Sequence, residues 1–308
     1  MVDTHYDLLT VAYVCYLKND YRKLEKISRE IRTSGVSHIF ANLYFMSKEE
    51  MINELHQNYY NENVSILEMF KISKAILENY LPDINFIYSI EGCDYLKIDD
   101  LETLYNNGLR SILLVWNEKN RYGSGNRTID GLTKEGIKFL NKAISLGMGI
   151  DLSHANDKTF YDMIEVIKEN QNRGQKVICY ASHSNSRKLC DRSRNLTDNQ
   201  ILTIKEVGGL VGVFSNKNFV TNKSANLKDK YLEHIIHISN LIGIDNVMLS
   251  TDDMRFMGDY DKYYLESSIF DYSNITSEVK ALLMKYFTID CTNKIMLLNC
   301  YNKIISKL

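Results

Sequence analysis

Short runs of apolar, β-branched residues alternate along the chain with longer stretches in which apolar positions recur every three to four residues. The strand-like runs are residues 2–8, 36–45, 86–90, 109–116, 148–153, 177–182, 210–214 and 247–251. Between them the helical period predicts helices over 21–33, 48–80, 99–107, 133–146, 157–172, 197–206 and 227–242, with terminal helices from 276 onward. Gly147 and the pair Gly208-Gly209 stand where two of these helices must stop, as glycine at a helix C-terminus commonly does. Strands that alternate with helices predict a parallel sheet. Eight such units in 308 residues predict the α/β class with a single (β/α)8 TIM-type barrel. A doubly wound sheet is the competitor, but its dinucleotide-binding form needs a GxGxxG turn after the first strand, which this chain lacks. No linker-like stretch divides the pattern, so one hydrolase-type barrel domain over residues 1–308 is expected.

Composition narrows the partners. Hydrophobic residues are 44% and charged residues 25%, ordinary values for a globular chain. The net charge is −2 with no long run of one sign, so neither nucleic acid nor membrane is indicated as a partner. The single proline excludes Pro-rich linkers. The six cysteines, Cys15, Cys93, Cys179, Cys190, Cys291 and Cys300, contain no CxxC pair and read as reduced thiols of a cytoplasmic protein. Met1-Val2-Asp3-Thr4-His5 lacks the basic and apolar regions of a signal peptide, and no run approaches the length of a membrane span.

In a (β/α)8 barrel the chemistry sits at the C-terminal ends of the strands. His5 and Asp7 fall near the end of the first strand, where period two puts both on one face. Glu91 ends the third strand, His154 the fifth, His183 the sixth and Asp252 the eighth. Singly, each has an ordinary reading as a hydrogen-bonded histidine, a turn residue or a helix cap. Jointly, three imidazoles and three carboxylates project from one rim, and that is the donor set of zinc and similar divalent metals. Six groups exceed one tetrahedral site and suit two ions bridged by a carboxylate. His234 and His237 share a helix face with no acidic third ligand and read as structural. His38, inside the second strand, reads as core or near the site, and His56 as a solvated residue of a polar helix.

These motifs resemble the membrane (renal) dipeptidase family, peptidase family M19, of the amidohydrolase-like metal-dependent hydrolases. The resemblance runs from Asp3 to about Asn299. It rests on Asp3-Thr4-His5-Tyr6-Asp7, Ile90-Glu91-Gly92, Gly131-Leu132-Thr133 with Gly136, and Asn141. It continues through Gly147-Met148-Gly149-Ile150-Asp151-Leu152-Ser153-His154, Ser182-His183-Ser184 and Arg194-Asn195-Leu196-Thr197-Asp198. The resemblance implies that His5, Asp7 and Glu91 hold one metal and Glu91, His154 and His183 the other. Glu91 would bridge the two and count as catalytic together with Asp252, the proton carrier. Arg194 would grip the substrate's free carboxylate, a role that suits its bidentate fork. The implied cofactors are two divalent metal ions, Zn2+ first, with Mn2+ or Co2+ as alternatives. The implied reaction is hydrolysis of the amide bond of small dipeptides through a metal-bridging hydroxide, in a possible homodimer.

Two departures bear on the substrate. Many members end the fourth strand in Thr-His, where this chain has Val115-Trp116, so Trp116 replaces a histidine and joins the substrate-binding residues. The strand-eight motif Gly-x-Asp-Phe-Asp-Gly reads Ser250-Thr251-Asp252-Asp253-Met254-Arg255 here, and register favours Asp252 over Asp253 as the kept carboxylate. The metal set is untouched. A modified dipeptide, an N-acyl amino acid or a β-lactam-like ring stays open as substrate, as does a catalytically silent, metal-containing peptide-binding protein.

Overall fold

Eight parallel strands follow one another around the centre of the molecule in sequential order. They are β1 (Val2–Tyr6), β2 (His38–Tyr44), β3 (Asn85–Glu91), β4 (Leu109–Leu113), β5 (Gly149–Asp151), β6 (Ile178–Ala181), β7 (Leu210–Phe214) and β8 (Val247–Ser250). A computed structural model describes residues 1–44, 64–223, 226–253 and 267–308. The seam between β8 and β1 is closed by polar contacts. The Asp252 N–H donates to the His5 carbonyl at 3.1 Å, and the Thr4 hydroxyl donates to the Leu249 carbonyl at 2.9 Å. The Asp3 carboxylate accepts from the Thr251 N–H at 2.9 Å and the Thr251 hydroxyl at 2.6 Å. The ring of strands is thereby the (β/α)8 barrel that the alternation predicts.

Helices such as Tyr21–Thr33 pack outside through one apolar face. In Tyr21–Thr33 the buried residues Leu24, Ile27 and Ile31 repeat at helical spacing, and the Asp20 side chain caps the N-terminus by accepting from the Lys23 N–H. Asp198–Glu206 opens on a capping box formed by Thr197 and Gln200, which fixes where the chain leaves the long loop after β6. Two sequence expectations need correction. The first strand stops at Tyr6, and Leu8–Lys18 is a helix that the periodicity does not reveal. Its residues from Leu8 to Cys15 are all buried, so no polar face marks a 3.6-residue period. The fourth strand stops at Leu113 rather than 116, because the Leu114 carbonyl is taken by the Cys93 N–H and the Asn120 side chain. Of the helix expected over 48–80, the described part is Ile66–Tyr80; His56 lies outside the described residues.

The barrel is plugged at its N-terminal end by Val2, Phe40, Ile178, Leu210 and Met248, which cluster with Cys300 and Ile304 of the C-terminal segment. His38 starts β2 at this end, bonded to the Ser37 hydroxyl, and therefore lies away from the rim that carries the other histidines. Gly212 in β7 has no side chain for a spatial reason. A Cβ there would fall 1.9 Å from the Ser182 carbonyl oxygen and 2.8 Å from the Thr4 hydroxyl, so only glycine lets β6 and β7 approach beneath His183. Among the described residues, no helix is long and apolar enough to cross a membrane.

Candidate metal centre

At the C-terminal rim the residues just beyond several strands carry the polar groups. His154 and Asp252 follow β5 and β8 with φ of 64° and 51°, left-handed conformations that non-glycine residues adopt sparingly and that concentrate at functional sites. The Asp151 carboxylate, at the end of β5, accepts from the Ser153 and Ser182 N–H groups at 3.0 Å each. One buried side chain thus ties the turn bearing His154 to the turn bearing His183.

The structure brings His5, Asp7, Glu91, His154 and His183 together. Glu91 stands at the centre, with Oε2 2.9 Å from His5 Nε2 and Oε1 3.1 Å from His154 Nε2. Asp7 Oδ1 lies 3.6 Å from His5 Nε2. The rings of His5 and His183 stack with centroids 3.7 Å apart, and His183 Nε2 is 3.1 Å from His154 Nε2. Asp252 joins His5 and Asp7 in a second group of closely spaced donor atoms. Asp252 lines the cavity above the cluster, whereas Asp253 is buried and is not part of that lining. Met254 and Arg255 lie outside the described residues.

The donor set fits divalent cations on three counts. First, His5 Nε2 and Asp7 Oδ1 are buried and, among the described residues, make no well-aligned hydrogen bond although they stand 3.6 Å apart and His5 Nε2 lies 2.9 Å from Glu91, a costly state for polar atoms. Second, His154 Nδ1 faces the Asn117 amide oxygen at 2.9 Å, which can only accept. That fixes the imidazole proton on Nδ1 and turns the Nε2 lone pair toward Glu91 and His183. Third, burial disfavours charge throughout the cluster. It pushes Glu91 up to about 7 despite neighbouring His5, and Asp252 up to about 6. It drives His154 and His183 down, with Arg194 and His5 adding to the effect. For His5, burial is outweighed by Glu91 and Asp7, and its pKa rises. A cation among them would favour ionised carboxylates and neutral imidazoles at once.

Above the cluster is a cavity of about 480 Å3. Arg194, buried at 6% exposure, borders it. Its guanidinium donates to the Ser184 hydroxyl at 3.0 Å and the His183 carbonyl at 2.7 Å and lies over the Phe214 ring. Burial lowers its pKa to about 10. Among the described residues, no carboxylate pairs with it. Trp116 forms another wall, edge-on to Tyr44 at 5.2 Å and 6.1 Å from the His154 ring. Behind it the loop folds back so tightly that a Cβ on Gly125 would meet the Trp116 carbonyl oxygen at 1.7 Å.

Sequence reasoning missed the supports of this site. Asn117 orients His154 and itself accepts from the Asn126 side chain at 2.6 Å. Asn42 reaches His5 Nδ1 at 3.0 Å. The only cue was position, since Asn117 directly follows Trp116 and Asp151 ends a strand. His234 and His237 are structural as expected. His234 bonds the Ser186 N–H and the Val220 carbonyl, and His237 bonds Asp198.

Known proteins resemble this chain in sequence and in fold. The family described as "Membrane dipeptidase (Peptidase family M19)" matches residues 10–297. An uncharacterized protein of the pqqA 5′ region in Klebsiella pneumoniae is 36% identical over 165 residues, covering 50% of this chain and 58% of its own. An uncharacterized dipeptidase of Schizosaccharomyces pombe is 28% identical over 193 residues, covering 60% of this chain and 44% of its own. The chain therefore spans about half the length of these relatives. Its fold is similar to a metallo peptidase from Rhodobacter sphaeroides crystallised with a phosphinate mimic of the dipeptide L-Ala-D-Ala. That pair has a TM-score of 0.76 and 19% identity, covering 100% of this chain and 99% of the other.

Proposed function

Because the chain belongs to the membrane dipeptidase family, peptidase family M19, we propose that it is a metal-dependent dipeptidase that hydrolyses the amide bond of small dipeptides. The observation that carries this reading is Glu91, whose two oxygens each reach a different imidazole, His5 and His154, in the floor of a cavity. That is the placement a bridging carboxylate needs. His5, Asp7 and Glu91 would hold one divalent ion, and Glu91, His154 and His183 a second, with Zn2+ the first choice for a set rich in imidazole. When bound, the ions supply Lewis acidity toward the scissile carbonyl and make a water molecule more acidic.

The remaining steps belong to the chain's own side chains. Among the described residues the Arg194 guanidinium has no paired acid, and it binds the substrate's free carboxylate and sets the amide bond over the cluster. Trp116 gives the neighbouring wall an apolar face that excludes water from one side of the bond. Asp252 Oδ takes the proton of the attacking water and returns it to the departing amine nitrogen. Its pKa, raised to about 6 by burial, suits a group that must both accept and release a proton near neutrality. Incubating the metal-reconstituted protein with free-acid dipeptides tests the proposal. Release of both amino acids, stopped by a chelator, supports it; metal binding without turnover of any dipeptide favours a peptide-binding role instead.

A further inference from the structure

The cavity lining divides by charge. Among the described residues its carboxylates are Asp7, Glu91 and Asp252, all within the cluster at its floor. Among the same described residues its other charged side chains are Arg127, Arg192 and Arg194. One guanidinium fork suffices for one carboxylate, and the buried Arg194 is the one placed deepest. A dipeptide with neutral side chains gives the other two nothing to bind.

Arg127 and Arg192 reach the cavity from different loops that meet at one contact. In the loop after β4, the Arg127 N–H donates to the Asn117 carbonyl at 2.9 Å, so the arginine is anchored beside the residue that orients His154. In the loop after β6, the Ser193 hydroxyl bonds Asn126 Oδ1 at 3.4 Å. The two arginines are the chain neighbours of Asn126 and Ser193 and therefore flank this junction. Both are exposed at the mouth. The Arg127 guanidinium lies over the Trp116 ring, 5.6 Å from its centroid. Glu118 is one of its partners, at 3.6 Å, with the two side chains 49% and 42% exposed. Arg192 donates to the neutral amide of Asn222 at 2.9 Å, which leaves its charge uncompensated by that partner.

Resting on the dipeptidase reading, we propose that Arg127 and Arg192 form a second anion subsite at the cavity mouth. The substrates it selects are dipeptides that carry an acidic side chain, aspartate or glutamate, in addition to the free carboxylate. Two exposed guanidinium groups attract such a side chain over distance and repel a lysine or arginine in its place.

The test compares kcat/KM for Ala-Glu with Ala-Gln and for Glu-Ala with Gln-Ala. Glutamine matches glutamate in shape, so each ratio reports charge, and the pair showing the effect identifies which residue meets the arginines. The wild type is expected to prefer glutamate by about tenfold in one pair, less as ionic strength rises. The ratio should fall toward one in the Arg127→Met/Arg192→Met double variant and recover in part with lysine at both positions. It is taken within each protein, so a general loss of activity cancels. Equal cleavage of glutamate and glutamine dipeptides by the wild type overturns the subsite and leaves the dipeptidase reading standing. If no dipeptide is cleaved, calorimetry with unreactive phosphinic analogues of the same pairs decides. Tighter binding of the acidic analogue, weakened in the double variant, upholds the subsite, and equal affinities overturn it.

Discussion

The Nε2 atoms of His154 and His183 face each other across 3.1 Å, with Glu91 Oε1 3.1 Å from the first of them. Each atom is a lone-pair donor in a neutral imidazole or an ionised carboxylate, and neutral imidazole is what burial enforces on both rings. A cation placed among these atoms would take up their lone pairs at once. Metal should therefore stabilise the folded chain, because it binds the native cluster and not the dispersed ligands. Chelation is expected to lower Tm by several degrees, on the order of 2–4 °C per kcal/mol of binding lost. Added Zn2+ should reverse the shift, and the shift should shrink in His183→Ala. Melting curves unmoved by chelator would contradict the ligand assignment.

Two neighbouring carboxylates are expected to behave differently. Asp252 lines the cavity, while Asp253 is 3% exposed and is not among the lining residues. Asp252→Asn should keep fold and metal yet lose roughly 10²–10⁴ in kcat, the range for a proton carrier. Asp253→Asn should cost far less turnover. Steady-state kinetics of both variants check this, and a reversed order would show that Asp253 carries the proton.

Arg194 gives a prediction about the substrate's end group. A dipeptide amide lacks the charge that a buried guanidinium requires, so the free acid should be cleaved much faster, by about tenfold or more. In Arg194→Met the two should converge while metal content stays unchanged. Paired kinetics on acid and amide read this directly, and equal rates in the wild type would return Arg194 to a purely structural role.

A pH effect on stability follows from His234, remote from the cavity. Its Nδ1 accepts the Ser186 N–H at 3.0 Å, and its Nε2–H donates to the Val220 carbonyl at 2.9 Å. Burial lowers its pKa to about 4. As pH falls below about 6.5, the unfolded chain takes up the proton first. His234 thus contributes full stability above about 6.5 and loses it progressively toward about 4, up to about 3 kcal/mol in all. Urea unfolding at neutral and mildly acidic pH should show a smaller acid-induced loss in His234→Gln than in the wild type. Identical losses would mean that His234 titrates normally.

The strands were legible because each is an apolar, β-branched run bounded by turn residues, and the rim chemistry because β1, β3, β5, β6 and β8 each end close to a conspicuous ionisable side chain. Leu8–Lys18 was illegible for the opposite reason, since a helix buried all round through Cys15 offers no periodic polar face. The supports of the site were hidden for another. Asn117 matters only because the fold sets it 2.9 Å from His154, 37 positions away. Asp151 matters because its carboxylate reaches the Ser182 N–H, 31 positions away. Hydrogen-bond partners separated by that much chain leave no local pattern. His38 misleads in the same way, since an apolar strand context does not reveal which end of the barrel a residue occupies.

The most direct test of the account is the metal content of the purified protein, measured by elemental analysis before and after reconstitution with Zn2+ or Mn2+. Two clusters sharing Glu91 predict about two divalent ions per chain, falling to about one in His154→Ala or His183→Ala. Protein that binds no ion after reconstitution would contradict the assignment of His5, Asp7, Glu91, His154 and His183 as ligands and, with it, the proposed chemistry.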